Sequence, residues 1–142
     1  MKPGIELMIV YSDEHVLELL VRGSNGAFSG EAQTYANLDT PRVLAEMLRG
    51  FPTKPDDVRS LELGAFDTAG AGGGAALRFY CVDSAGHAAV EIRFRTDSRC
   101  DGSVDEAHFH IRIEAAAVDS LVDQLSRMSS AVGDTARIDA AA

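Results

Sequence analysis

The sequence has no tryptophan and only two cysteines, and aromatic residues make up 6% of its 142 positions. No apolar run approaches the ~20 residues that a membrane-crossing helix needs. The opening stretch, MKPGIELMIVYSDEH, lacks the long apolar core and small-residue cleavage site of a signal peptide. Basic residues are outnumbered, 13 Lys plus Arg against 22 Asp plus Glu, for a net charge of −9. That balance repels phosphate backbones and argues against general nucleic-acid binding; it suits solubility or a basic partner. Cys81 falls on an inward strand position and Cys100 in the polar stretch from Asp97 to Asp105. Such different settings predict two free thiols in a reducing cytoplasm rather than a disulfide.

Catalytic motifs are missing as well. There is no G-x-S-x-G elbow, no H-E-x-x-H and no close cysteine pair. The glycine-rich TAGAGGG, Thr68 to Gly74, has Ala75 where a dinucleotide fingerprint needs its last glycine. A strand follows it, so no helix N-terminus supplies amides, and a plain strand-to-strand connection is expected. Cys81 is expected to be buried and inert; acidic neighbours of Cys100 would raise its pKa rather than activate it. Asp56-Asp57 reads as a charged loop. No catalytic residue and no cofactor is expected.

What the chain does have is alternation. From Ala75 to Thr96, Leu77, Phe79 and Cys81 alternate with Arg78 and Tyr80, and Val90, Ile92 and Phe94 alternate with Glu91, Arg93 and Arg95. Period two on both arms marks a half-buried antiparallel hairpin. An even-length loop at Ser84 to His87 would pair Cys81 with Val90, Phe79 with Ile92 and Leu77 with Phe94. It would set Tyr80 opposite Glu91 and Arg78 opposite Arg93, an Arg–Arg contact that calls for acidic neighbours. Further strands are expected at Ile5 to Tyr11, His15 to Arg22, Ala27 to Asn37, Val58 to Phe66 and Glu106 to Glu114. Asn25-Gly26 should turn the second into the third, because both residues tolerate positive φ. The third carries small residues, Gly30, Ala32 and Ala36, on one face, which suits an edge strand approached closely by a helix.

Two helices are expected. One opens at Asp39-Thr40-Pro41, with a side-chain cap from Asp39 or Thr40 and a buried stripe of Leu44, Met47, Leu48 and Phe51. The other covers Ala115 to Ser129, with Val118, Leu121, Val122, Leu125 and Met128 buried. The expected fold is α+β: a single antiparallel sheet of about six or seven strands with both helices packed on one face. It forms one domain over residues 1–130, and a C-terminal tail, 131–142, has little to bury.

The outward sheet positions carry the candidate site: Arg78, Tyr80, Glu91, Arg93, Arg95, His108, His110 and Arg112. Arginine and tyrosine are favoured at interface hot spots, although a salt-bridged solvent face is the plainer reading. His108 and His110, at i and i+2, could both reach a metal. A third ligand would have to come from Asp105, Glu106 or an acid on a neighbouring strand, and a solvated face without metal is the default.

The segments RGFP (Arg49 to Pro52), LELGAF (Leu61 to Phe66), LRFYCVDSAGH (Leu77 to His87) and VEIRF (Val90 to Phe94) resemble a family of small bacterial proteins of uncharacterised function. The resemblance runs from about Leu17 to Leu125. In its order of elements the chain is also similar, more distantly, to the WapI-type immunity proteins of contact-dependent toxin systems. That similarity implies a cytoplasmic α+β protein that neutralises a toxin domain by binding it, and it assigns no site residues. The expectation is therefore a non-catalytic binding protein with a protein partner, in the immunity case a basic toxin domain. The alternatives are a small-ligand module or enzyme using the polar sheet face, and a structural homo-oligomer, of which a homodimer is the simplest.

Overall fold

The computed structural model describes residues 1–66, 72–96 and 101–142. The α+β class holds, with eight strands and two helices among the described residues. In chain order they are β1 (Gly4–Ser12), β2 (Leu17–Ser24), β3 (Ser29–Ala36), α1 (Thr40–Leu48), β4 (Val58–Gly64), β5 (Gly74–Cys81), β6 (His87–Arg95), β7 (Glu106–Glu114), α2 (Ala117–Arg127) and β8 (Thr135–Asp139). The strands form two four-stranded antiparallel sheets, β3-β2-β1-β8 and β4-β5-β6-β7, not the single sheet expected from the sequence. Period-two alternation gives each strand a greasy face but does not say which strands pair, so one sheet and two read alike.

The two inner faces share one core. Ile5, Leu7, Ile9, Leu17, Leu19 and Val21 of the first sheet join Leu77, Phe79, Val90, Ile92, Ile111 and Ile113 of the second. Close approach depends on a glycine pair. Gly23 and Gly30 lie opposite each other on β2 and β3. A Cβ on Gly23 would come within 3.2 Å of Ile92, and one on Gly30 within 3.1 Å of Phe94 and 3.2 Å of Ala107. The paired glycines thus leave a notch for Phe94, which meets Phe109 edge-to-face at 6.2 Å. The small residues of β3 therefore admit the second sheet rather than a helix, and β3 is an edge strand as expected.

The segment 131–142 is not a free tail. Residues 135–139 pair with β1, and Ala136 and Ile138 are buried. The outer edge of β8 is covered by α2: the Gln124 side-chain amide donates to the Arg137 carbonyl at 2.9 Å, and its oxygen accepts the Arg137 N–H at 2.8 Å. One side chain thereby stands in for a neighbouring strand. The edge of β7 is met by the Asn25 side chain, which donates to the His110 carbonyl, and by the Ala141 N–H, which donates to the Arg112 carbonyl.

The helices contact each other, and α2 runs beside β8, so they do not roof one sheet. In α1 the buried residues are Pro41, Leu44, Ala45 and Leu48, whereas Met47 is exposed. The α1 N-terminus has no side-chain cap; the Thr40 hydroxyl instead accepts from Asn37 N–H. In α2, Val118, Leu121, Val122 and Leu125 are buried and Met128 is half-buried. The α1 C-terminus is held by Arg59 of β4, which donates to the carbonyls of Met47 at 3.0 Å and Arg49 at 3.1 Å. Its Nε and Nη2 grip Asp57 at 2.9 Å each, and Asp57 also accepts the Thr53 N–H. Asp57 is thus an organising group of the loop after α1. The Arg59 guanidinium, then the Thr53 N–H, hold its carboxyl down at about 2.

Two outcomes follow for stability. Gly30→Val fills the notch and should cost about 1–3 kcal/mol by overpacking; adding Phe94→Leu should recover part of that loss, as read by urea denaturation. Asp57 titrates at about 2 when folded against an ordinary 3.8, so its stabilisation is full above the ordinary value and lost as pH falls through about 2. Asp57→Asn should therefore cost about 2 kcal/mol at neutral pH, and its deficit against the wild type should shrink as denaturation is repeated from pH 4 downward.

Candidate functional site

The outer face of the β4-β5-β6-β7 sheet gathers most of the residues that alternation points outward. Arg78 and Tyr80 come from β5, Glu91 and Arg93 from β6, and His108, His110 and Arg112 from β7. Arg78, Tyr80 and Glu91 are half-buried; Arg93, His108, His110 and Arg112 are exposed. Arg95 departs from this set. It lies opposite Gly74 at the end of β6 and is buried, 8% exposed, with Nη1 lacking a hydrogen-bond partner among the described residues. Strand parity gives direction but not cover, and Arg95 is covered.

The hairpin register also differs from expectation. Cys81 pairs with Ala88, Phe79 with Val90, Leu77 with Ile92 and Ala75 with Phe94. The loop has an even length, as expected, but runs over residues 83–86, one position earlier. The Val82 N–H donates to the His87 carbonyl to close it. Asp83 shapes this turn: one carboxylate oxygen accepts the Ala85 N–H at 2.8 Å and the other lies 2.7 Å from His87 Nδ1. A two-residue slip keeps every side chain on its face but changes every cross-strand partner. Arg78 now faces Glu91 instead of Arg93, and Tyr80 faces Ala89 instead of Glu91. The unfavourable Arg–Arg contact is replaced by an ion pair.

Glu91 becomes the hub. Across β5 its Oε1 accepts from Arg78 Nε at 2.8 Å. Across β7 its Oε2 lies 2.7 Å from His108 Nε2 and 3.8 Å from His110 Nε2. The two imidazoles are neighbours, with ring centroids 5.7 Å apart. Arg78, then His108, hold the Glu91 carboxyl at about 2 by hydrogen bonding to its ionised form. It is therefore a fixed anion at neutral pH and has no proton to give as a general acid. The arginines are oriented too: Arg78 lies 4.6 Å over the Tyr80 ring and Arg93 4.9 Å over that of Phe66.

β4 adds what the sequence reading left out. Ser60 and Glu62 join Ala76, Arg78, Glu91 and Arg93 around a shallow depression of about 180 Å³. Their outward parity was visible in VRSLELG; their nearness to Arg78 depended on strand pairing. Cys81 is half-buried, not buried, and burial first, then the nearby aspartates, pushes its thiol pKa up. Cys100 and residues 68–71 of the glycine-rich segment lie outside the described residues. Among the described residues no helix is long and apolar enough to cross a membrane.

Set against protein-family models, curated proteins and solved structures, the chain matches none.

The hub is directly measurable. Carbon-detected NMR titration should find the Glu91 carboxyl titrating at about 2, and Arg78→Met should move it up toward its ordinary 4.5, since the guanidinium is the largest cause of the shift. An unchanged Glu91 titration in that variant would refute the assignment.

Proposed function

We propose that this protein is a non-catalytic binding protein that takes up a protein partner on the outer face of the β4-β5-β6-β7 sheet. One observation carries the reading: several of the charged side chains there are already held in place by their neighbours. Arg78 is held between Glu91 and the Tyr80 ring, Arg93 lies over Phe66, and His108 leans on Glu91. Side chains ordered in the free protein lose less entropy when a partner arrives. Arginine and tyrosine are also the residue types on which interface energy concentrates. A small-ligand site is less well supported on this face, because the depression of about 180 Å³ falls short of the ~300 Å³ at which ligand pockets begin.

Charge narrows the partner. Glu62, Glu91, Glu106 and Glu114 share the face with Arg78, Arg93 and Arg112, so it is mixed in sign on a chain of net charge −9. A partner with a basic surface bearing some carboxylates fits both features. Neutralisation of a basic toxin domain in the cytoplasm is the specific form of this reading, and its support is the acidity of the chain together with the distant similarity of its order of strands and helices to WapI-type immunity proteins.

The test is calorimetry between the purified chain and the purified product of the adjacent gene. A complex should form that weakens as salt rises. Arg93→Glu combined with Arg112→Glu, both exposed, should weaken it at least ~10-fold, while Arg42→Glu on α1 should leave it unchanged. Failure to bind, or indifference to the paired reversal, overturns the proposal.

A further inference from the structure

We propose that Glu91, His108 and His110 form a binding site for a divalent transition-metal ion, best matched by Zn²⁺. One donor atom from each of the three lies within 4.8 Å of the other two. The donor set is two imidazole nitrogens and one carboxylate oxygen, the combination that zinc shares with other imidazole-binding first-row ions. A third ligand was the missing part of the His-x-His pattern in HFHIR. The strand pairing supplies it, because Glu91 lies directly opposite His110 and diagonally across from His108, which pairs with Arg93 two positions along.

The fit is close without being closed. Zinc bonds of ~2.0–2.1 Å place tetrahedral ligands ~3.4 Å apart. The present separations from Glu91 Oε2, 2.7 Å to His108 and 3.8 Å to His110, bracket that value. Both imidazoles are exposed and can turn by the small amount required. Arg78 occupies Glu91 Oε1 and leaves Oε2 turned to the histidines. This is the outer-shell support that metal-binding carboxylates use. For His108 to bind the metal, its Nε2 proton must be absent, and the ion replaces the hydrogen bond to Glu91. Three protein donors on an open sheet face leave the remaining coordination positions to water or to a partner's side chain. The charge of Arg78 opposes a cation, so affinity in the micromolar range is expected rather than that of a closed structural site.

The inference stands on side-chain placement and needs no partner, so its failure and that of the partner reading are separable. Tag-free protein, stripped with chelator, is titrated with ZnCl₂ at neutral pH by calorimetry. One Zn²⁺ per chain is expected. His108→Ala and His110→Ala should each weaken binding by roughly 10–100-fold or more, and Glu91→Gln by at least ~10-fold. A His15→Ala variant, which removes an exposed histidine in the turn between β1 and β2, should bind as the wild type does. All these positions lie on exposed or half-exposed surface, and circular dichroism confirms that each variant is folded. Co²⁺ gives a second readout, with visible bands of a nitrogen- and oxygen-ligated ion appearing in the wild type and vanishing in His108→Ala/His110→Ala. No stoichiometric Zn²⁺ binding, wild-type affinity in His108→Ala/His110→Ala, or loss of binding in His15→Ala would each overturn the assignment.

Discussion

Neither sheet can exist alone. Each is four strands with one apolar face, and that face must be removed from water by something other than itself. Here each sheet supplies the cover for the other, joined by the inward residues of α1 and α2 in one core. The approach is set by the Gly23–Gly30 pair, whose missing side chains admit Phe94 between the sheets. Larger residues there would hold the layers apart and open space around Ile92 and Phe109 as well. The cost of two glycines in strands, roughly 0.5–1 kcal/mol each, is offset by burial of a whole phenylalanine, about 1.5–3 kcal/mol.

Once the inner faces are committed, the outer face is determined residue by residue. Phe79, Val90, Ile92, Phe109 and Ile111 must point in, so Arg78, Glu91, Arg93, His108 and His110 must point out. What the core does not determine is which of the outward residues meet. A slip of two along the hairpin would leave every inward residue inward. Asp83 resolves this at the turn, by accepting the Ala85 N–H and pairing with His87. The Arg78–Glu91 pair resolves it again in the middle of the strands. Turn chemistry and cross-strand charge agree on one register, and Glu91 is thereby placed between an arginine and two histidines.

The sequence showed strand identity and facing well where alternation was strict. β7 was legible to its end residues, Glu106 and Glu114, and the α2 stripe from Val118 to Leu125 was legible because helical period and burial coincide. The hub at Glu91 was not, since a period-two pattern is blind to a two-residue slip. β8 was missed because Thr135–Asp139 contains one large apolar residue, Ile138, while Ala136 looks indifferent yet is fully buried. Its edge is also completed by a glutamine on a helix, which no strand pattern announces. Met47 sat at a helical spacing that fitted the stripe, but Ala45 took the buried place. The small residues of β3 do make room, but for the second sheet rather than a helix, because sequence gives the vacancy and only tertiary structure gives its occupant.

The same edges bear on how a partner could be engaged. An exposed sheet edge invites strand addition, which relies on unpaired backbone groups. On β7 the carbonyls of His110 and Arg112 already accept bonds from Asn25 and Ala141, and on β8 Arg137 is paired through both its backbone groups with Gln124. On β3 the Gln33 carbonyl accepts the Gly73 N–H. At each of these points a docking strand would first have to break a bond the protein makes with itself. Side chains on the open face of the second sheet require no such exchange. Their charges are already partly neutralised by one another, so the desolvation penalty for covering them is smaller than for isolated ions. Recognition through that face, rather than along an edge, is the mode that disturbs the fold least.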